Sequence, residues 1–269
     1  MALYCLISPG GAPGVTTTAL GLALTWPGKV VLAECDPAGR RVLPGFMAER
    51  LRRPAGPGLL GLAMAAQPDP EAAVASLGEY TLPLSGNGEA KLLHGIRDPR
   101  HVRQLAESWR PLAETFTAID GDVIADLGRF GGSDTPTPLL TVADAVIVVV
   151  RCTLAQVDAA VPRLDVLRDL LDDRVPVGLC VVEDGSYGAT DVRRVLDLPV
   201  FAELPHSAAD ARVLSDGAQP RLTFKTSLLM RAIDGLGKRV RKAVEERAVL
   251  DLLDEEPDVP ASVASEAGR

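Results

Sequence analysis

Short apolar runs alternate with longer stretches in which apolar positions recur at helical spacing. Residues 2–7, 30–34, 122–126, 145–150, 175–182 and 199–202 are the apolar runs. They are rich in Val and Ile and bounded by polar turns, which predicts strands covered on both faces. Between them, 17–25 reads as a helix, and 41–78 as helical pieces broken at Pro44, at Pro54 to Gly58 and at Pro68 to Pro70. Two extended pieces, 80–84 and 90–94, flank the polar turn 85–88. Asp98-Pro99 opens a further helix, with Pro at the first helical position, that breaks near Pro111 and resumes to Thr117. Val157, Val161, Leu164, Leu167 and Leu171 share one helical face. A short helix over 191–196 and a long one over 226–253 complete the pattern.

This alternation predicts an α/β fold: a doubly wound, mostly parallel sheet with helices on both faces. No internal repeat or linker divides it, so residues 1–253 are expected to form one domain. The end, 254–269, is acidic and rich in Pro, Ser and Ala, and is expected to be a disordered tail.

Composition narrows the function. The 269 residues are 47% hydrophobic and 24% charged, with net charge −8. The balance lacks the basic excess of a general nucleic-acid binder. No apolar run is long enough to span a bilayer. The start, Met-Ala-Leu-Tyr-Cys, lacks the basic opening of a signal peptide, so a cytoplasmic protein is expected. Cys5, Cys35, Cys152 and Cys180 show no metal or redox spacing and are expected to be buried thiols. His94, His101 and His206 are scattered, and none reads as a ligand.

Candidate chemistry gathers at predicted strand ends, where open parallel sheets bind ligands. Ser8-Pro-Gly-Gly-Ala-Pro-Gly-Val-Thr-Thr-Thr18 joins the first strand to the first helix. A glycine turn entering a helix start with hydroxyl residues aims backbone N–H groups at an anion. Gly10, Gly11, Gly14, Val15, Thr16 and Thr17 are therefore candidate binding residues, together with Glu34 and Asp36 following the second strand and Asp126 at the end of the 122–126 run. Thr16, Asp36 and Asp126 are the candidate Mg²⁺ holders. A tight connection with no ligand is the plain alternative for the glycine turn. A dinucleotide fold is the rival, but its Gly-x-Gly-x-x-Gly pattern ending on Gly14 needs glycine where Pro9 stands.

The loop resembles that of the ParA/MinD group of P-loop proteins, Lys-Gly-Gly-x-Gly-Lys-Thr-Thr. Gly11, Gly14, Thr16 and Thr17 match; Ala12 replaces the second glycine, and Gly10 and Val15 stand where the two lysines would be. Glu34-Cys-Asp36-Pro37 resembles the family's Asp-x-Asp-Pro turn, whose first acid takes part in activating water. Val123 to Asp126 resembles its Walker B strand, and Leu204-Pro205 through Gly217 its segment before the last helix. Where the family often has Asn near the adenine, this chain has Glu183-Asp184. The resemblance implies a P-loop NTPase-like fold and ATP or ADP with Mg²⁺ as cofactor, weakly held or absent.

Losing one charged hydrogen bond to phosphate costs about 1.5–3 kcal/mol. Losing a preorganised donor slows other enzymes by about 10²–10³. No catalytic residue is therefore assigned. The expectation is a pseudo-ATPase, similar to the TadZ-type members, that organises other components in space. An active ATPase with a rearranged loop is the alternative. The resemblance also implies a homodimer or a protein partner through the loop face. Arg40, Arg129 and Arg151, near strand ends, are expected to be solvated surface arginines, with replacement of a missing lysine as the alternative. The cluster Lys238 to Lys242 on the last helix suggests membrane contact by analogy, but Glu245, Glu246 and Asp251 oppose it. Because the tail lacks an apolar face, truncation after Leu253 is expected to leave Tm nearly unchanged in a thermal melt; a large drop would show that the tail docks.

Overall fold

The computed structural model describes residues 1–11, 14–86, 88–184 and 187–254. Its strands are β1 (Leu3–Ser8), β2 (Val30–Glu34), β3 (Leu82–Pro83), β4 (Ala90–Leu93), β5 (Asp122–Arg129), β6 (Ala145–Arg151), β7 (Val177–Glu183) and β8 (Val200–Pro205). They form one eight-stranded sheet in the order β3-β4-β2-β5-β1-β6-β7-β8. Every pair is parallel except β3 with β4. Pro83 sits on that antiparallel edge, where its missing N–H costs no ladder bond.

Helices cover both faces. α1 (Val15–Thr25) lies on one face. α2 (Gly58–Ala66), α3 (Pro70–Ala75), α4 (Leu77–Tyr80), α5 (Val102–Ala106), α6 (Trp109–Thr117), α7 (Thr137–Thr141), α8 (Leu154–Leu170) and α9 (Ala189–Leu196) follow on the other. α10 (Ala208–Asp216) and α11 (Leu228–Asp254) return to the side of α1. Strand periodicity divides the core: Leu3, Cys5 and Ile7 of β1 join the α2–α9 cluster, whereas Tyr4 and Leu6 join the α1–α11 cluster. Both faces of β1 are thereby apolar, as its unbroken run requires. The four cysteines are buried and unpaired.

The structure departs from the sequence expectation in two instructive places. β5 continues past Asp126 to Arg129, so Asp126 lies inside the strand rather than at its end. On α8, Val157, Ala160, Leu164 and Leu167 are buried, whereas Val161 is 42% exposed. The small Ala160 takes the inward place and lets the helix lie close to the sheet. The helix carries Pro162 in its interior, one ladder hydrogen bond short. Only Asp254 of the expected tail is described, as the last residue of α11; 255–269 lie outside the described residues.

α1 and α11 meet closely because Gly21 has no side chain: a Cβ there would lie 2.6 Å from Ile233 Cδ1. Ile233 is fully buried. Ile233→Ala is expected to cost about 3 kcal/mol, read as a lower urea midpoint at unchanged m-value.

Candidate functional site

The parallel register brings the candidate residues to one rim. β1 pairs Leu6 with Asp126, and β2 pairs Glu34 with Asp126, so the end of β2 lies level with Asp126, while β1 and β5 run on together to Ser8 and Arg129. Gly11 and Gly14 adopt φ of +70° and +83°, a region open to glycine at little cost. Gly14 is the N-cap of α1, and its carbonyl accepts from the Thr18 N–H at 2.8 Å. Ala12 and Pro13, between these glycines, lie outside the described residues. The first N–H groups of α1 have no partner within the helix, which leaves donors at the rim.

Thr16 Oγ1 donates to Asp126 Oδ2 at 2.5 Å, and the Gly128 N–H donates to Asp126 Oδ1 at 3.0 Å. Asp126 is 1% exposed. Burial pushes its carboxyl up to about 7; the Thr16 hydrogen bond opposes the shift, and the charges of Asp36 and Glu34 add to it. Asp36 lies against Gly128, whose φ is +64° and where any Cβ would strike the Asp36 carboxylate. Asp36 Oδ1 accepts from the Ala38 N–H at 2.8 Å, and its pKa is also raised, chiefly by burial. Thr16 is thus bonded to Asp126, and Asp36 lies near enough for its charge to act on Asp126.

Glu34 is close but turned to another task. Its Oε1 accepts from the N–H groups of Arg41 at 2.6 Å and Val42 at 2.7 Å, and its Oε2 from Gly95 at 3.2 Å. Burial raises its pKa, against the pull of those three bonds. The side chain organises the backbone after β2 and β4.

The lysine positions have distinct surroundings. Val15 is 1% exposed and packs into the apolar cluster under α1. At Gly10 a Cβ would lie 3.3 Å from Ala159 Cβ and 3.6 Å from the Gln156 carboxamide, so α8 crowds the place where a lysine stem would start. Gln156 Oε1 is buried without a hydrogen-bond partner, and Gln156 Nε2 lies 3.3 Å from where a Gly11 Cβ would be. Sequence reasoning missed Gln156, because nothing in its local pattern ties it to a loop so distant in the chain.

Beside Thr17 and Thr18 lies a pocket of about 220 Å³, closed by Arg151, Leu204, Pro205 and His206. Arg151 pairs with Asp184 at 3.2 Å, and His206 Nδ1 lies 3.6 Å from the same carboxylate. Arg151 is therefore held at the pocket wall, while Arg129 is exposed and Arg40 lines a different cavity. Among the described residues no cluster of three or more His, Cys, Asp or Glu is arranged to hold a metal. The donor set fits Mg²⁺ in a different way: Thr16 and Asp126 would supply protein oxygens, phosphate and water the others. A phosphate at the loop would have to be held by backbone N–H groups, since neither Gly10 nor Val15 supplies a side-chain cation.

No protein-family model matches the chain, and no curated protein matches it. Solved structures do. The septum site-determining protein MinD of Pyrococcus horikoshii, complexed with Mg-ADP, is 17% identical, covers 91% of this chain and 98% of its own, and superposes with a TM-score of 0.66. A ParA family ATPase from Chlorobium tepidum is 12% identical over 88% of this chain and 97% of its own, with a TM-score of 0.67. The MinC:MinD cell division complex of Aquifex aeolicus gives 16%, 90%, 96% and 0.64 in the same order. At these identities the likeness is one of fold, and the fold is that of the MinD and ParA ATPases.

Because the carboxyl of Asp126 titrates near 7 when folded and near 3.9 when unfolded, it binds its proton more tightly in the folded state. Its contribution is fully present below the lower value and is lost as pH rises to the upper one. The wild-type Tm is therefore expected to fall relative to that of Asp126→Asn between about pH 4 and 7, on the order of 5 °C in all. Parallel melting curves across that range check it; equal pH slopes would refute the burial effect.

Proposed function

We propose that this chain is a ParA/MinD-like P-loop protein that acts by assembly and position and hydrolyses little or no ATP. The observation that carries the reading is Val15: an apolar side chain, 1% exposed, at the Walker lysine position of a loop whose Thr16–Asp126 pair is intact. In this reading the cradle and metal side of a nucleotide site remain without the lysine cations that would stabilise the charge developing on the phosphate oxygens during phosphoryl transfer.

ATP or ADP with Mg²⁺ is the ligand this geometry would take, weakly if at all. Gly11, Gly14 and the start of α1 would face the phosphates, Thr16 and Asp126 the metal, and the pocket beside Thr17 the nucleoside. Bound Mg²⁺ would supply charge stabilisation at the phosphates. The chain's own contribution is to hold Thr16 in place and to keep Asp126 dry. The MinD relative with Mg-ADP supports the ligand class. The MinC:MinD complex supports a protein partner, or a second copy, at the loop face.

The last helix does not favour a membrane surface. Lys238 pairs with Asp234 at 2.7 Å and Lys242 with Glu246 at 3.1 Å. Arg239 donates to the Phe201 carbonyl at 2.5 Å, and Arg241 lies 5.5 Å from the ring centre of Trp26. Much of this basic cluster is engaged within the fold, and no described helix is long and apolar enough to cross a membrane.

Turnover is expected at least about 10²-fold below that of an active ATPase of this fold. A radiolabelled ATP assay decides it: comparable turnover, abolished in Asp126→Asn, would restore the reading of an active enzyme with a rearranged loop. Self-association through the loop face is expected to be weak without Mg²⁺ and sensitive to salt, because Asp36 would meet its copy across it. Sedimentation at several salt and Mg²⁺ concentrations tests this. A tight dimer indifferent to both, and to Asp36→Arg, would place the interface elsewhere.

A further inference from the structure

A second cavity, of about 720 Å³, opens on the far side of β2 from the glycine loop. Arg40, Arg53 and Arg97 line it, with Leu43, Leu51 and Ile96 among its apolar walls. It shares no lining residue with the pocket beside Thr17. Nothing in the loop chemistry accounts for it.

Two features mark the setting of these arginines. The first is rigidity. The Arg40 N–H donates to the Ile96 carbonyl at 2.9 Å, which places Arg40 and Arg97 on either side of one backbone bond. The approach is made possible by Gly39, at φ +107°, where a Cβ would lie 3.2 Å from the Ile96 oxygen. The turn is pinned at both ends, by Asp36 accepting from Ala38 and by Glu34 accepting from Arg41 and Val42. The second is the lack of compensation. Among the described residues none of the three guanidinium groups forms a salt bridge. The acid nearest in charge to Arg40 is Glu34, whose oxygens are taken by three backbone N–H groups. Burial and the Arg97 charge both lower the Arg40 pKa. Residues 40–53 hold five arginines and one glutamate in a chain of net charge −8.

We propose that this cavity is a second ligand site, for a phosphate monoester whose phosphate sits between Arg40 and Arg97 and whose organic part rests on Leu43, Leu51 and Ile96. A phosphate monoester carries close to two negative charges at neutral pH and presents oxygens in the geometry that guanidinium forks bind in pairs. One dianion would relieve the repulsion between the two cations. The cavity is far larger than inorganic phosphate needs and lies within the size range of small-molecule sites. The same chemistry is offered by a free phosphorylated metabolite and by a phosphorylated side chain of a partner protein.

The test is calorimetric titration of the full chain with inorganic phosphate, phenyl phosphate, a phosphoserine peptide and its unphosphorylated twin, and a single-stranded oligonucleotide. Phenyl phosphate is expected to bind with a Kd below about 1 mM and more tightly than inorganic phosphate. Arg40→Gln with Arg97→Gln is expected to weaken it at least about tenfold, and Thr16→Ala to leave it unchanged. The last comparison separates this site from the glycine loop, so each reading can fail alone. A phosphopeptide that binds more tightly than phenyl phosphate, while its twin does not bind, would identify a partner's side chain as the source; the reverse order would identify a small molecule. No saturable binding, or equal binding in the double variant, would overturn the proposal. So would oligonucleotide binding that exceeds every monoester and vanishes in the double variant, which would assign the cavity to nucleic acid. Should the double variant fold poorly, Arg97→Gln alone is the substitute: Arg97 is exposed, and its loss should still weaken phenyl phosphate several-fold at unchanged Tm.

Discussion

The hydrogen bond from Thr16 to Asp126 is the contact on which the candidate site depends. It joins the first turn of α1 to the middle of the sheet and fixes where the loop ends. It also gives Asp126 one of two hydrogen bonds that offset the loss of water around a nearly inaccessible carboxylate, Gly128 giving the other. Remove the hydroxyl and a buried acceptor loses its partner; remove the carboxylate and Thr16 loses the reason for its rotamer. The remaining parts of the rim, the left-handed Gly11 and Gly14 and the Asp36 turn resting on Gly128, are arranged around that pair.

The sheet makes this pairing possible. β1 lies between β5 and β6 with both faces apolar, so its end is fixed by neighbours on each side. Pairing of Leu6 and Glu34 with Asp126 then sets Asp126 level with the end of β2 and beside β1. An antiparallel neighbour would have sent its carboxyl end to the opposite edge. Parallel pairing is thus a requirement for gathering the acids, and the helical crossovers it demands are what bury the sheet on both faces.

Much of this was legible in the sequence, for an identifiable reason. Strand runs and the glycine turn are local signals, and the ordering of turn, acid and second acid follows from the fold's connectivity. The end of β5 was misjudged because Leu127 continues the apolar pattern while Gly128 reads as a turn; in the sheet that glycine makes room for Asp36. Val161 was placed inward because helical spacing alone does not distinguish it from Ala160, and close packing chose the smaller side chain. Glu34 could be located at the rim but not oriented, since its partners are backbone N–H groups of residues 41, 42 and 95. Gln156 and the pairing of Arg40 with Arg97 were invisible, because each rests on contacts between segments far apart in the chain.

β2 divides two opposite electrostatic environments. On its β5 side stand Asp126 and Asp36; on its β4 side stand Arg97 and, on the turn between, Arg40. Glu34 ends β2 and belongs to both, raised in pKa by burial yet counted among the charges felt by Asp126 and by Arg40. The Asp36 turn and the bond from the Arg40 N–H to the Ile96 carbonyl fix the backbone between them. The acidic half lacks cations at the lysine positions and the basic half lacks anions. Neighbouring fixed charges left without partners cost the folded state stability, and the same charges are available to ions that arrive from solution. On that physical ground the two proposed sites would take opposite ligands: a divalent cation beside Thr16 and Asp126, and a phosphate dianion between Arg40 and Arg97.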